Sequence, residues 1–246
     1  MAEYIYGINP AFEGLRGTLR QPLELLVAKG LTAPRLDELV RLATAAGVPV
    51  RPRDRAELDR LADSSHHQGV LLKVADFAYH DLDDLLARWR ASKRPALFLI
   101  LDGVTDPHNF GALLRSADAA GCHGVIVAKD RACPVSAVVE KTAAGALAHI
   151  PLAQVTNISR TLEELKEQNI WVYGLAGDAG STSLYASDLT GSIALVAGSE
   201  GEGMRPNVRK HCDGLLAIPL HGGVDSLNVS VATGIALFEV VRQRGI

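Results

Sequence analysis

A continuous apolar run at residues 97–101, with sequence LFLIL, constrains the fold of this chain more than any other feature. A strand buried on both faces lacks the alternation of apolar and polar side chains that a half-exposed strand shows. Helices and strands then alternate along the chain, beginning with a predicted helix over 110–120 and a strand over 124–128. The later predicted elements are helices over 135–148, 162–167 and 229–242, and strands over 152–155, 170–175, 194–197 and 214–218. We therefore predict an α/β fold with a mostly parallel, doubly wound sheet.

The N-terminal part of the chain contains shorter elements of the same two kinds. A helix over 35–45 keeps its apolar residues on one face. The other predicted elements are helices over 10–19 and 55–61, and strands over 23–28, 48–51 and 69–74. Residues 75–95 are rich in charge, but their leucines keep a helical spacing, which predicts a linker helix. The predicted organisation is a small α/β domain over 1–74, a linker helix over 75–95 and a larger domain over 96–246.

Composition excludes several classes of protein. The chain has 246 residues, of which 48% are hydrophobic, and such a chain is too apolar for intrinsic disorder. No apolar run reaches the ~18 residues of a membrane span, and the first ten residues lack a secretory signal pattern. The formal charge of −3 excludes a general basic coat for nucleic acid, so any RNA-binding groups must be local. The odd number of cysteines, three, indicates a reducing compartment and predicts a cytoplasmic protein.

The first segment with candidate chemistry is residues 101–117, LDGVTDPHNFGALLRSA, directly after the buried strand. Loops at the carboxyl ends of parallel strands are the usual ligand sites of such folds. Asn109 is a good capping residue for the helix that follows, and Arg115 lies two turns into that helix. The alternative is a helix cap and an ordinary surface arginine.

The second segment, residues 198–204 with sequence GSEGEGM, is rich in glycine. Glycine permits positive φ angles and close approach of the backbone to a ligand. The loop has neither the Gly-Lys-Ser/Thr of a Walker motif nor the glycine spacing of the dinucleotide fingerprint. Because Glu200 and Glu202 would repel a pyrophosphate, a neutral or cationic ligand is favoured. A plain turn is the alternative.

The third segment is residues 218–232, IPLHGGVDSLNVSVA, which leads into the last helix. Ser226 or Asn228 is predicted to cap that helix. Together with Ser230, they place several hydrogen-bonding side chains at one helix start, whereas capping requires only one. A binding site is therefore favoured over capping alone.

Other kinds of chemistry have less support in the sequence. The neighbouring pairs Cys122–His123 and His211–Cys212 lack the CxxC spacing of zinc sites, so we predict no metal. The chain has no Gly-x-Ser-x-Gly, so a nucleophile elbow is unsupported. His66 and His67 precede a predicted strand, where a packing role fits them as well as a catalytic one.

The three segments, in this order and at this spacing, resemble the motifs of the SpoU (TrmH-like) family of RNA ribose 2′-O-methyltransferases, in the SPOUT superfamily. The resemblance covers most of 96–246. Residues 6–10 (YGINP) and 65–70 (SHHQGV) resemble the substrate-binding domain of the same family. This combination is most similar to members that methylate a guanosine ribose in 23S ribosomal RNA. A transfer-RNA ribose methyltransferase and a non-catalytic RNA-binding member are the alternatives.

The resemblance implies a deep trefoil knot, an S-adenosylmethionine site formed by the knot, and a homodimer that places the motifs of one subunit against those of the other. The residues that match or line the cofactor site are Gly198, Ile218, Leu227, Leu175, Ala176 and Gly177. Arg115 matches the arginine that activates the ribose hydroxyl. The family's polar groups around that arginine correspond in this sequence to Asn109, Glu200, Ser226 and Asn228.

The chemical role of Arg115 has two interpretations. A guanidinium is a poor general base because its pKa exceeds 12. Either an RNA phosphate assists proton removal, or the guanidinium stabilises the forming alkoxide electrostatically, and the second is slightly favoured.

Two further expectations concern assembly and RNA binding. The last helix is apolar over more than one face, which fits a dimer interface; the residues concerned are Val229, Ile235, Leu237, Phe238 and Val241. The first block is rich in arginine and is predicted to bind RNA; the residues concerned are Arg16, Arg20, Arg51, Arg53, Arg55 and Arg60. The alternative is that Asp54, Glu57 and Asp59 pair with these arginines.

Overall fold

The computed structural model describes residues 3–16, 20–62, 65–178 and 180–245. The chain divides into two compact units. The first consists of Met1–Ala78 with Val135–Ala137, and the second consists of Tyr79–Pro134 with Val138–Ile246.

The first unit is a four-stranded sheet with helices on both faces. Its elements are β1 (Glu3–Tyr6), α1 (Ile8–Arg16), β2 (Pro22–Ala28), α2 (Pro34–Ala45), β3 (Val50–Arg53), α3 (Arg55–Ala62) and β4 (Val70–Val74). The strand order is β1-β4-β2-β3, in which β4 is antiparallel to both of its neighbours and β2 is parallel to β3. Helices α1 and α2 cover one face, which contains the buried Leu39 and Leu72, and α3 covers the other with Leu58.

The predicted alternation of elements is observed in this unit, with two differences. Strand β1 was not predicted, because four residues give little periodic signal, and its partner β4 lies more than 60 residues away in sequence. The predicted helix over 10–19 begins earlier, at Ile8, and ends at Arg16. Residues 17–19 of that prediction lie outside the described residues.

The second unit is built on seven parallel strands. Its elements are α4 (Leu82–Ser92), β5 (Leu97–Asp102), α5 (Pro107–Ala119), β6 (Gly124–Ala128), α6 (Ala137–Ala143), β7 (Leu152–Val155), α7 (Ile158–Glu167), β8 (Trp171–Leu175), β9 (Thr182–Ser183), β10 (Ile193–Gly198), α8 (Pro206–Lys210), β11 (Gly214–Ala217) and α9 (Val229–Arg244). The strand order is β7-β6-β5-β10-β8-β11-β9, and every neighbouring pair is parallel. The predicted α/β fold with a doubly wound parallel sheet is confirmed.

Strand β5 explains why the apolar run is unbroken. All six of its residues are buried. Phe98 and Ile100 point into a core cluster that includes side chains of α4, α7 and α8. Because successive side chains of a strand point to opposite faces, Leu99 and Leu101 face the other side, where α5 and α9 pack against each other. No helix in the described part of the chain is long and apolar enough to cross a membrane.

The helix predicted as a linker is part of the core of the second unit. In α4, Leu85 and Leu86 are buried in the same cluster as Phe98. A Cβ added to Gly124 would lie 2.6 Å from Cδ2 of Leu85, so α4 packs directly on β6. The domain limits drawn from the sequence stay a prediction.

The single helix predicted over 135–148 is wrong. Helix α6 ends at Ala143, and a 3₁₀ turn follows over Ala146–Ala148. Between them, Ala144 and Gly145 have φ angles of 50° and 93°. A right-handed helix cannot continue through positive φ, so the chain turns at this point.

Candidate active site

A cavity of about 550 Å³ lies at the carboxyl ends of β8, β10 and β11. This is the edge of the sheet where doubly wound folds bind ligands, and the volume suits a small-molecule site. Most of the predicted site residues line it: Leu175, Ala176, Gly177, Gly198, Glu200, Ile218, Ser226, Leu227 and Asn228. Asn109 and Arg115 lie outside its lining.

The glycine-rich loop folds back over the end of β10. Ser199 and Gly203 exchange two backbone hydrogen bonds of 3.0 Å, which close a tight turn. A Cβ added to Gly198 would overlap the backbone of Gly203 and Met204, so only glycine fits there. Gly201 and Gly203 have φ angles of 85° and 69°. The spacing of the three glycines is therefore set by the geometry of this turn.

Met204 follows the loop and is held by a contact that the sequence analysis missed. Its side chain packs on Gly174 of β8, where an added Cβ would lie 2.5 Å from Cε of Met204. Met204 is buried. The absence of a side chain at Gly174 thus fixes the end of the glycine-rich loop against the sheet.

Asn228 connects the three sequence segments. Its Oδ1 accepts hydrogen bonds from the backbone nitrogens of Ser230 (2.9 Å) and Val231 (3.3 Å), so it caps α9 as predicted. Its Nδ2 donates to Oδ1 of Asn109 at 2.9 Å and to Oε1 of Glu200 at 2.7 Å. One amide therefore both starts the last helix and joins the first and second segments.

Asn109 is not the N-cap of α5, which corrects the prediction. The cap is Asp106, whose Oδ1 accepts a hydrogen bond of 2.8 Å from the backbone nitrogen of Asn109. Pro107 follows the cap, where its fixed φ suits the first helical turn. Because Asp106 caps the helix, the Asn109 side chain is available to hydrogen-bond with Asn228.

An ion pair between a buried aspartate and a partly exposed arginine holds the first and second segments together. The side chain of Asp102, at the end of β5, is fully buried. Its Oδ1 accepts from Nε of Arg205 at 2.6 Å, and its Oδ2 accepts from the backbone nitrogen of Arg205 at 2.8 Å. Arg205 directly follows the glycine-rich loop, so this pair fixes the loop to the strand that leads to Asn109. The only sequence signal for it is an acidic residue at the end of an apolar run.

Arg115 lies on the exposed side of α5. Within the described ranges, its guanidinium makes no hydrogen bond or ion pair. By contrast, Arg205 and Arg209 of the same unit are both paired with carboxylates. Arg115 is therefore available to a partner from outside the described chain.

The lining of the cavity carries an excess of acidic groups. Asp178, Glu200, Glu202 and Asp225 line it, against a single lining cation among the described residues, Arg209. Arg209 Nη1 lies 2.6 Å from Asp178 Oδ2, and this hydrogen bond lowers the pKa of Asp178 below its usual value. The acidic excess suits a cationic ligand, which is one of the two kinds, neutral or cationic, that the sequence of the glycine-rich loop favoured.

A second cavity, of about 340 Å³, lies near the amino end of β5 and is less suited to chemistry. Its lining residue His123 accepts a hydrogen bond from the backbone nitrogen of Leu97, and burial lowers its pKa to about 4. Nε2 of this neutral ring is 2.9 Å from the hydroxyl of Ser92, which itself donates to the carbonyl of Trp89. The serine proton is thus committed to a carbonyl and the histidine is not a base.

The cysteines and histidines do not form a site either. Burial raises the pKa of all three thiols, that of Cys212 to about 11. In the ranges that the structure describes, no three His, Cys, Asp or Glu residues are placed to hold a metal ion. His67 is fully buried; its Nδ1 accepts from the backbone nitrogen of Gly69 and its Nε2 contacts Asp59. It therefore has the packing role that the sequence left open.

Two family models match the chain. The SpoU rRNA Methylase family model matches residues 96–238, and a model described as RNA 2′-O ribose methyltransferase substrate binding matches residues 4–80. The chain belongs to the SpoU rRNA methylase family. The family resemblance of the three segments is therefore confirmed, and the cavity described above lies in the SpoU part of the chain.

Curated relatives are similar to this SpoU chain along its whole length. The 23S rRNA (guanosine-2′-O-)-methyltransferase RlmB of Yersinia pestis is 48% identical over 246 residues, covering 100% of this chain and 99% of that protein. The RlmB of Escherichia coli K12 is 49% identical over 247 residues, covering 99% of this chain and 100% of that protein.

Solved structures share the SpoU fold. The SpoU methyltransferase AviRb from Streptomyces viridochromogenes, in complex with AdoMet, is 26% identical with a TM-score of 0.75 and covers 98% of this chain and 90% of its own. The TrmH/SpoU tRNA modifying enzyme of A. aeolicus is 29% identical with a TM-score of 0.57, and covers 66% of this chain and 85% of its own.

Proposed function

We propose that this chain transfers a methyl group from S-adenosylmethionine to the ribose 2′-hydroxyl of a guanosine in 23S ribosomal RNA. The observation that carries the proposal is its 48–49% identity to RlmB proteins over essentially the full length of both chains. A transfer-RNA substrate has less support, because the likeness to the A. aeolicus tRNA modifying enzyme covers only 66% of this chain.

The cavity at the carboxyl edge of the sheet fits the cofactor. S-adenosylmethionine supplies, when bound, a methyl group already activated by a sulfonium cation, and the acidic lining suits that charge. Ile218 and Leu227 line the cavity, and among the described residues their main-chain groups have no hydrogen-bond partner. These backbone groups line the cavity and are available to hydrogen-bond the adenine edge. Leu175, Ala176, Gly177 and Gly198 would complete the pocket around the cofactor.

The polar cluster is proposed to hold the ribose. Only one oxygen of Glu200 accepts from Asn228, and the Asn109 amide nitrogen has no partner in the described part of the chain. One carboxylate oxygen and one amide donor are thus free at the cluster. Ser226, whose hydroxyl also has no partner there, adds a third group. Donors and acceptors fixed in this way orient a hydroxyl without reorganisation during the reaction.

Arg115 is proposed to lower the energy of the ribose alkoxide as the 2′-hydroxyl proton passes to an RNA phosphate or to solvent. A ribose hydroxyl is a poor nucleophile at neutral pH, and a guanidinium that stays charged favours its ionised form. Arg115 lies outside the lining of the cavity of its own chain. In a homodimer, Arg115 of one subunit would lie beside the cavity of the other subunit.

We propose a homodimer on these grounds, with α9 in its interface. Val231 and Phe238 are seven residues apart on one face of α9 and are 50% and 49% exposed. Leu237, by contrast, is fully buried, so it belongs to the core rather than to the interface. These two exposed apolar side chains would be covered in such an interface. The trefoil knot and the cytoplasmic location stay predictions of the same proposal.

Transfer of a labelled methyl group to separate pools of rRNA and tRNA tests the proposal. Both pools should come from cells that lack ribose methylation by this family, so that acceptor sites are free. We expect label in 23S rRNA and none above background in tRNA. Label confined to tRNA would overturn the substrate assignment, and binding of S-adenosylmethionine without any transfer would favour a non-catalytic RNA-binding protein.

A further inference from the structure

Four arginines of the first unit fall into two groups that the sequence does not distinguish. Arg51 Nε lies 2.6 Å from Glu24, and Arg53 Nε lies 3.2 Å from Glu57. These two cations are neutralised within the unit, as the alternative interpretation of the arginine-rich sequence expected, although Glu24 was not among the predicted partners. Arg51 and Arg53 therefore have little charge left to offer to RNA.

Arg16 and Arg35 differ, because both lie on the ring of Phe12. The Cζ atom of Arg16 is 5.2 Å from the ring centroid, and that of Arg35 is 6.0 Å away. Phe12 is 6% exposed and belongs to the core cluster beneath α1 and α2. A buried aromatic ring thus brings together two like charges from separate helices.

The positive charges of Arg16 and Arg35 have few carboxylate partners among the described residues of the unit. Glu38 Oε1 is 4.0 Å from Arg16 Nη2, at the outer limit of an ion pair, and both side chains are more than half exposed. In the described residues, Arg35 has no hydrogen bond or ion pair with a carboxylate. Two guanidinium groups that lie within 6.0 Å of one ring centroid are therefore available to an anion from outside the unit.

Helix stability does not explain Arg35. It occupies the first turn of α2, directly after Pro34. The helix dipole disfavours a cation at that end, whereas Arg16 in the last turn of α1 is favoured. Arg35 is thus held at a position that is unfavourable for α2 and brings its charge next to that of Arg16.

We propose that Arg16 and Arg35, held on Phe12, bind phosphate groups of the RNA backbone. The inference rests on the proposed function, which supplies RNA as the substrate. A guanidinium that stacks on a ring keeps its N–H groups in its own plane, where they form paired hydrogen bonds to phosphate oxygens. The site reads charge and backbone geometry rather than sequence, so it would position the RNA without selecting the target nucleotide.

Binding of a transcribed 23S rRNA fragment to the full chain tests the site, with salt varied from about 50 to 200 mM. The test variant is R16Q/R35Q, and R51Q/R53Q is the control, because both lose two arginines from the same unit. We expect R16Q/R35Q to weaken RNA binding by about tenfold or more and to reduce the salt slope by about 2, one per phosphate contact. S-adenosylmethionine affinity should stay unchanged in both variants, and the control should bind RNA like the parent chain.

A third variant, R16K/R35K, distinguishes the contribution of the stacked guanidinium groups to RNA affinity from that of positive charge alone. It keeps both charges, so its salt slope should match that of the parent chain while its affinity falls several-fold. An unchanged slope in R16Q/R35Q, an equal loss in the control, or full affinity in R16K/R35K would each overturn the proposed site. Because the readout is RNA binding, a failure of methyl transfer by the parent chain would contradict the proposed function and leave this comparison intact.

Discussion

The carboxyl edge of the parallel sheet and the outer surface of α1 and α2 hold their polar side chains in different ways. At the sheet edge, Asn228 joins residues 119 and 28 positions away by hydrogen bonds, and the buried Asp102 is bonded to Arg205, 103 positions away. On the helices, Arg16 and Arg35 rest on one ring and stay exposed. The first arrangement fixes positions to fractions of an ångström, as bond-making chemistry requires, whereas the second offers charge to a flexible polymer.

The largest effect is expected from G198A, which adds a methyl group where the glycine-rich loop approaches the end of β10 most closely. The added methyl would overlap the backbone of Gly203 and Met204, so the loop must open. We expect loss of measurable S-adenosylmethionine binding and of methyl transfer, together with a stability loss of roughly 2–4 kcal/mol. The control is G222A in the loop before α9, where nothing lies within 4 Å of the added methyl. Calorimetry of cofactor binding that gave equal affinities for the two variants would contradict the role of the turn.

The next largest effect is expected from R115A. Arg115 is exposed and outside the cavity, so its loss should leave cofactor affinity nearly intact while methyl transfer falls by about 10²–10³. Turnover at saturating cofactor and the cofactor dissociation constant should therefore diverge. The exposed Arg88 of α4 provides the control variant, R88A. Equal losses in turnover and cofactor affinity would show that Arg115 supports the pocket instead of the ribose.

A smaller effect on turnover is expected from N228D. This variant distinguishes the role of Asn228 as the cap of α9 from its role in joining the first and second segments. The carboxylate keeps the acceptor that caps α9, but it loses both donated hydrogen bonds and repels Glu200. We predict a fall in turnover of about tenfold to 10², with thermal stability changed by no more than about 1 kcal/mol. Paired measurements of turnover and melting temperature check this. A variant that lost stability and activity together would place the role of Asn228 in folding alone.

The smallest effect concerns the end of α9, far in sequence from the cluster. Hydrogen bonds from Arg242 and Gln243 lower the pKa of Glu239 to about 2. A carboxylate whose folded pKa lies below its unfolded value contributes stability above the unfolded pKa, near 4.5, and loses it as pH falls toward 2. E239Q should therefore be less stable than the parent by about 1 kcal/mol at pH 7, and the difference should shrink between pH 4.5 and 2. A pH-independent difference in denaturant unfolding would contradict this.

The sequence predicted the parts of the fold that depend on local pattern. The apolar run of β5 and the helical spacing in α4 are visible within a dozen residues, and the structure confirms these elements. Strand β9 has two residues, too few for any period. The break after α6 depends on positive φ at Ala144 and Gly145, and the helix-stop signal of Gly145 was missed within an alanine-rich stretch.

For the candidate site too, the sequence predicted some residues and missed the contacts that depend on tertiary structure. Segment order and glycine spacing pointed to the residues that line the cavity, and family resemblance was needed to include Leu175, Ala176 and Gly177. The sequence misassigned the cap of α5 because Asp106 and Asn109 are both good caps. Pro107 is the sequence signal that favours Asp106, since proline suits the first helical position. Partnerships between distant residues, such as Asp102 with Arg205 or Phe12 with Arg35, depend on tertiary structure and leave no local pattern.

The activity proposed for this chain is methylation of a guanosine ribose in 23S rRNA. Its most direct test is mass spectrometry of nucleosides from 23S rRNA after incubation with the chain and methyl-labelled S-adenosylmethionine, with R115A in parallel. We expect labelled 2′-O-methylguanosine at a single position with the parent chain, and at least a hundredfold less with R115A. A label on a base, on a nucleoside other than guanosine, or equal yields from the two proteins would contradict it.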